Sequence, residues 1–230
     1  MLHPLLLAGG RSTRMGSRKE LLCLAEIPVY EHQLIRLHLA CPESGTVFLS
    51  LPSPASLSQI LESPNVECMS SATLRLRHGT RSVLVRVLYD QPDEYAEAQD
   101  QGPAGGLLAA HSYDRSATWL VVACDYPFFS VSAVRQLCQD MATSPVTCFE
   151  NRDGIYEPLL GIWTPSALDL LEENVKKGIF GPKSIVTKSR GKAVRPQNEN
   201  WLFNMNTPAE YEQAKKMSEE IASIAGDINH

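Results

Sequence analysis

The 230-residue chain is 43% apolar and 20% charged, the balance of a globular protein long enough to bury a full core. A formal net charge of -5 argues against nucleic acid as a main partner, because phosphate-backbone binding needs a basic excess. No apolar run approaches the roughly 20 residues that cross a bilayer, which excludes a membrane-spanning segment. The opening "MLHPLLLAGG" lacks the charged n-region and cleavage site of a signal peptide, so the chain reads as intracellular and cytoplasmic. Cys23, Cys41, Cys68, Cys124, Cys138 and Cys148 show no C-x-x-C pair and no zinc-like spacing; they are expected to be reduced, buried thiols.

In chain order, "PLLLA" is too short for a helix and ends at a glycine pair, which predicts a buried strand. A helix follows Pro28, where Tyr30, Leu34 and Leu37 recur at helical spacing. "TVFLSL", closed by Pro52, is a second strand, and the β-branched "SVLVRVLYD" is a third. Between them the Leu-Arg-Leu-Arg alternation of "SSATLRLRHGTRS" predicts an extra surface hairpin over residues 70–82. After "GPAGG" come a small helix, "LLAAHSY", the buried strand "WLVVACD" and the helix "VSAVRQLCQDM". "PVTCFENRDGIYEPLLGIW" reads as two strands about an Asn-Arg-Asp-Gly turn. Helices after Pro165 and near Pro182 lead to "WLFNMNTP" and a charged terminal helix from Pro208. Strands alternating with helices imply a mostly parallel sheet covered on both faces, in one domain over residues 1–230.

In such sheets ligands bind beyond the carboxyl ends of the strands. Three chemically loaded segments directly follow strands: "AGGRSTRMGSRK", "CDYPFF" and "NMNTP". In the first, Gly9 and Gly10 let the backbone turn its N–H groups toward a phosphate, and Arg11, Arg14 and Lys19 add charge-assisted contacts. The segment fits neither G-x-x-x-x-G-K-[ST] nor G-x-G-x-x-G, so spacing alone leaves a ligand-free basic turn as an equal alternative. Asp125 ends a buried strand, where a metal-binding carboxylate is useful; a cap for the next helix is the competing reading. "QGPAGGLLAA" offers glycines for close approach of a base or phosphate, including Gly102. Thr207 and Pro208 read as the N-cap and first position of a helix, which leaves Asn204 and Asn206 for ligand contact or for hydrogen bonds within the loop.

Taken in order, these segments resemble the molybdenum cofactor guanylyltransferases of the MobA type. The matching residues are Leu7-Ala8-Gly9-Gly10-Arg11-Ser12-x-Arg14-Met15-Gly16-x-x-Lys19, Gly102-Pro103-x-x-Gly106, Cys124-Asp125-x-Pro127-Phe128, Glu157-Pro158-Leu159 and Asn204-x-Asn206-Thr207-Pro208. The resemblance implies a Rossmann-like three-layer α/β/α nucleotidyltransferase fold and transfer of GMP from GTP to molybdopterin, with Mg²⁺ as cofactor and pyrophosphate released. It places Leu7, Ala8, Gly9, Gly10, Arg11, Asp90 and Gly102 at the nucleotide, and Lys19 and Arg14 at its phosphates. Asp125 would hold Mg²⁺ between nucleotide and acceptor. Glu157, Pro158, Lys183, Asn204 and Asn206 would lie on the acceptor side. Other proteins of molybdenum cofactor biosynthesis are the implied partners.

Three features depart from that pattern. Arg18 stands where the family usually has an aspartate before the lysine, and Ser50 replaces an asparagine often found near the nucleotide. The segment near residues 70–82 adds Arg75, Arg77, His78 and Arg81, expected on a solvated hairpin. A CTP-using cytidylyltransferase and a sugar-phosphate nucleotidyltransferase are the neighbouring enzyme readings. A catalytically inactive nucleotide-binding scaffold is the non-enzymatic one, motivated by Arg18 and Ser50 and opposed by Lys19 and Asp125.

Overall fold

The structure, a computed structural model, describes residues 1–9, 18–90, 101–141 and 143–227. Its strands are β1 (Leu2–Leu7), β2 (Cys23–Leu24), β3 (Ile27–Pro28), β4 (Val47–Leu51), β5 (Val66–Ser70), β6 (Thr73–His78), β7 (Arg81–Tyr89), β8 (Thr118–Ala123), β9 (Val146–Glu150), β10 (Tyr156–Trp163) and β11 (Lys192–Val194). The helices are α1 (Val29–Ala40), α2 (Leu57–Ile60), α3 (Pro103–Tyr113), α4 (Val131–Asp140), α5 (Pro165–Val175), α6 (Pro182–Lys188) and α7 (Pro208–Asp227). Among the described residues, nine strands form one sheet in the order β11-β9-β10-β8-β1-β4-β7-β6-β5, and β2 and β3 pair separately. The central strands β8, β1, β4 and β7 are mutually parallel; β10 and β6 run against the other strands of the sheet.

The two-residue side-chain period of a strand sorts the apolar residues into two cores. Leu6, Leu49, Leu51, Leu120 and Val122 face α1 and α4, with Tyr30, Leu34, Leu37, Val134 and Leu137 packed on them. Leu5, Leu7, Phe48, Trp119 and Val121 face the other way, toward α3, α5 and α6. These central strands are therefore apolar on both faces, as parallel strands covered by helices must be, and the molecule is a three-layer α/β/α fold.

Helix α3 starts at Pro103, so "PAGG" is its first turn rather than a loop before it. Gly102 supplies the turn into the helix at φ +54°, a backbone conformation that side chains disfavour. Beyond β7 the sheet continues: Leu74 and Leu76 of β6 are buried in the core, while Arg77 and Arg75 face Glu67 of β5 at 2.8 and 3.5 Å. Gly79 and Thr80 make the tight β6–β7 turn. All six cysteines are free; Cys124 and Cys148 are buried and Cys41 is half-buried, but Cys23, Cys68 and Cys138 are exposed, contrary to the expectation of buried thiols. No helix among the described residues is long and apolar enough to cross a membrane.

Candidate active site

The carboxyl ends of β8, β1, β4 and β7 lie side by side, followed by Cys124-Asp125, Ala8, Pro52 and Asp90 respectively. With strands about 4.8 Å apart, the row from β8 to β7 is about 14 Å long, comparable to an extended nucleotide. The chain leaving β1 is tied to both neighbours. The Ala8 N–H donates to the Ser50 carbonyl at 3.0 Å, and the Cys124 N–H donates to the Leu7 carbonyl at 3.0 Å. Gly9 then passes Pro52 so closely that a Cβ would stand 2.6 Å from the proline ring. Gly10, Arg11 and Arg14 lie outside the described residues.

Asp125 does not cap α4; that role belongs to Ser130, whose Oγ accepts the Ala133 N–H at 3.2 Å. Its loop is instead braced from beneath by α1. Gln33 Nε2 donates to the carbonyls of Ala123 at 3.3 Å and Tyr126 at 2.9 Å, and the Arg36 guanidinium donates to the Pro127 carbonyl. The Asp125 carbonyl accepts the Met205 N–H at 2.9 Å, which seats the Asn204–Thr207 segment against the same loop. No sequence motif marks Gln33 and Arg36; they are polar residues interleaved with the buried Leu34, Ile35 and Leu37 of α1.

Lys19 opens a short 3-10 turn, Lys19–Leu21, and reaches across the site. Its Nζ donates to Asn206 Oδ1 at 2.5 Å and lies 3.7 Å from Asp125 Oδ2. Asn206 is itself fixed by a capping box at the start of α7. Glu210 accepts the Asn206 and Thr207 N–H groups at 2.7 and 2.8 Å, and its own N–H donates to Thr207 Oγ1 at 3.3 Å. Glu210 is held below the usual carboxylate range, first by the Asn206 N–H.

Burial raises the Asp125 carboxyl above its ordinary range; Lys19 and the Asn204 amide oppose that shift, and Glu157 adds to it. Asp125 Oδ1 and Asn204 Oδ1 are both buried without a hydrogen-bond donor. Two orphaned oxygens on adjoining loops are a poor resting arrangement for a protein interior and a good one for a hard cation. Glu157 extends the site along β10: its Oε2 accepts the Tyr126 hydroxyl at 2.8 Å and its Oε1 accepts the Asn151 amide at 3.3 Å. Pro158 is buried where the β9–β10 register shifts, and its carbonyl takes the Trp163 indole N–H at 2.8 Å. Lys183 is exposed in the first turn of α6 and acts electrostatically on Cys148, as does Glu157.

At the other end, Asp90 sits at the top of β7 with its N–H donating to the Leu51 carbonyl at 3.2 Å. It touches the first turn of α3: a Cβ on Gly105 would stand 2.7 Å from Asp90 Oδ2, and one on Gly106 would stand 2.5 Å from Ser50 Oγ. Gly105 and Gly106 are thus packed against the protein's own side chains, whereas a Cβ on Gly102 would meet no described atom within 4 Å. Ser50 lies buried under Gly106, where only a small side chain has room.

Residues 4–193 match the model of the MobA-like NTP transferase domain. The chain belongs to this family. It is accordingly a nucleotidyltransferase domain, and the matched span runs from β1 into β11, short of the Asn204–Glu210 segment that holds Lys19. This MobA-like domain is 28% identical over 214 residues to the molybdenum cofactor biosynthesis bifunctional protein of Synechocystis, covering 92% of this chain and 53% of that one. It therefore spans about half the length of that relative. It is 25% identical over 219 residues to a probable molybdenum cofactor guanylyltransferase of Carboxydothermus hydrogenoformans, covering 92% and 94%. In fold it resembles the molybdopterin-guanine dinucleotide biosynthesis protein A of Archaeoglobus fulgidus (TM-score 0.69, 17% identity, 96% and 100% covered). It also resembles a 4-diphosphocytidyl-2C-methyl-D-erythritol synthase of Anaerococcus prevotii (TM-score 0.64, 11% identity, 95% and 98% covered).

Proposed function

We propose that this MobA-like domain transfers GMP from GTP to molybdopterin with release of pyrophosphate, in the cytoplasm and with Mg²⁺. The observation that carries the reading is the meeting of Lys19, Asp125, Asn204 and Asn206 at the carboxyl edge of the parallel strands. Relatives named as molybdenum cofactor guanylyltransferases support the choice of acceptor and of guanine. Similar folds in cytidyl-transferring enzymes leave CTP as the substrate the test must exclude.

In this reading an acceptor phosphate oxygen attacks the α-phosphorus of GTP. A new P–O bond forms, and the bond to pyrophosphate breaks with its electron pair leaving on the pyrophosphate oxygen. Catalysis is mainly alignment and charge neutralisation, so no nucleophilic side chain is needed. Lys19, with Arg11 and Arg14, neutralises the phosphates; Leu7, Ala8, Gly9, Gly10, Asp90 and Gly102 border the nucleotide. Asp125 and Asn204 would hold Mg²⁺, which supplies further neutralisation of the phosphate oxygens when bound. Glu157, Lys183, Asn204 and Asn206 face the acceptor, with Pro158 shaping the strand beneath. Lys19 exchanges Asn206 for phosphate oxygens when the nucleotide arrives. Other proteins of the same biosynthesis deliver the acceptor or take the product.

The test is thermal unfolding with GTP or CTP, each with and without Mg²⁺. GTP with Mg²⁺ at about 100 times Kd should raise Tm by roughly 5–10 °C for a chain of this size. A larger shift with CTP overturns the guanine assignment, and no shift with either overturns the nucleotide site.

A further inference from the structure

Arg18 immediately precedes Lys19, and its guanidinium is held by Glu20 and by the segment that follows β4. Its Nε donates to Glu20 Oε1 at 2.7 Å, and Nη2 lies 2.6 Å from the same oxygen. Nη1 donates to the Ser56 carbonyl at 2.9 Å and to Gln59 Oε1 at 2.7 Å. Ser56 and Gln59 belong to the 3-10 turn and short helix α2 that follow β4. Glu20 is 3% exposed, so its carboxylate is a buried charge that needs this partner. One side chain thus grips both its own turn and a separate element, on either side of the lysine that crosses the site. The planar fork of an arginine makes these three directions available at once; a lysine or an aspartate does not.

We propose that Arg18 is a positioning residue. By tying the Lys19–Leu21 turn to the residue 54–60 segment, it fixes the Lys19 backbone so that Nζ is delivered between Asp125 and Asn206. The charge that looked out of place beside the phosphates is neutralised by Glu20 and serves to place the neighbouring charge. The consequence for turnover rests on the reading of Lys19 as the phosphate-neutralising group; the placement of Lys19 does not.

The experiment pairs a substrate-independent readout with a kinetic one. The full chain is trace-labelled with acetic anhydride, and the acylation rate of Lys19 is measured by mass spectrometry against Lys176 and Lys215. Wild type is compared with Arg18→Met/Glu20→Met, which removes the clamp without leaving a buried charge alone, and with Gln59→Ala at an exposed position. Lys19 should be acylated roughly tenfold faster in the double variant, the scale of one lost charge-assisted hydrogen bond, with the reference lysines unchanged. A smaller rise in the same direction is expected for Gln59→Ala. Pyrophosphate release should fall about 10- to 100-fold in kcat/KM for GTP in the double variant. Unchanged Lys19 acylation in a folded double variant overturns the inference; if that variant does not fold, unchanged acylation in Gln59→Ala does. Faster acylation together with wild-type kcat/KM overturns the link to turnover. A wild type that releases no pyrophosphate from any nucleotide overturns the proposed function, while acylation still decides the clamp.

Discussion

Burial drives the Asp125 carboxyl toward its neutral form, and Lys19 and Asn204 recover only part of the loss. Between the ordinary value of 3.8 and the raised one, the folded chain holds a proton that the unfolded chain has released. Stability contributed by this group therefore falls as pH rises through that window, and at neutral pH the ionised carboxylate is a cost. Asp125→Asn should raise the Tm of the ligand-free protein at pH 7 and lose that advantage below about pH 3.8. The same variant should lower nucleotidyl transfer about 10²- to 10³-fold, the range seen when one fixed electrostatic group is removed. A drop in Tm at pH 7, measured by calorimetry across the pH range, contradicts the assignment. At this scale the sequence is informative about residue type and weak about partners. Asp125 stands out because it ends an apolar run, and Lys19 because it ends a glycine-rich basic segment. That Lys19 meets Asn206, 187 positions away, is set by how β1 and the α7 approach converge, which no local pattern encodes. Gln33 is hidden for a similar reason: a buried amide under a loop looks in sequence like an interruption of a helical stripe.

Helix α3 shows how an element can carry motif glycines for packing. Its first turn lies against the ends of β4 and β7, where a Cβ on Gly106 would meet Ser50 Oγ at 2.5 Å and Leu7 Cδ2 at 2.8 Å. Gly106→Ala should destabilise the protein by about 1–3 kcal/mol through overpacking, despite the better helix propensity of alanine. Adding Ser50→Ala removes the closest contact and should recover part of that loss. Urea unfolding of both variants checks it; a stable Gly106→Ala shows that the helix has slack there. Strand and helix order is legible because apolar runs, prolines and turn residues punctuate the chain clearly. The start of α3 is not, since proline and paired glycines are ordinary loop signals until a partner surface excludes side chains. Strand β5 is also hard to read, because its side chains are largely exposed and its alternation is weak. The Leu-Arg-Leu-Arg strand beside it carries a clear two-residue period, with leucines inward and arginines toward Glu67.

For the whole molecule, the order of strands decides what can act together. Segments that lie near residues 8, 50, 90 and 125 come to one edge because β1, β4, β7 and β8 are parallel neighbours. A sheet covered by helices on both faces leaves that edge as the place where chain ends, glycine turns and charges gather. The Asn204–Glu210 segment then closes the arrangement, since its capping box fixes Asn206 and Asn206 holds Lys19. Alternation of strands and helices makes the fold class readable from the sequence, and the carboxyl-edge rule points to the neighbourhood of the candidate site. Side-chain pairing within that neighbourhood depends on packing of distant elements and comes only with the structure. The central claim is that this edge transfers a guanylyl group to a pterin phosphate. Its most direct measurement is pyrophosphate release from GTP in the presence of molybdopterin and Mg²⁺, with CTP and the acceptor-free reaction alongside. Release that requires GTP and the acceptor, and that Lys19→Met lowers about 10²-fold, is the predicted result. Equal release without molybdopterin, a preference for CTP, or no release at all would contradict it.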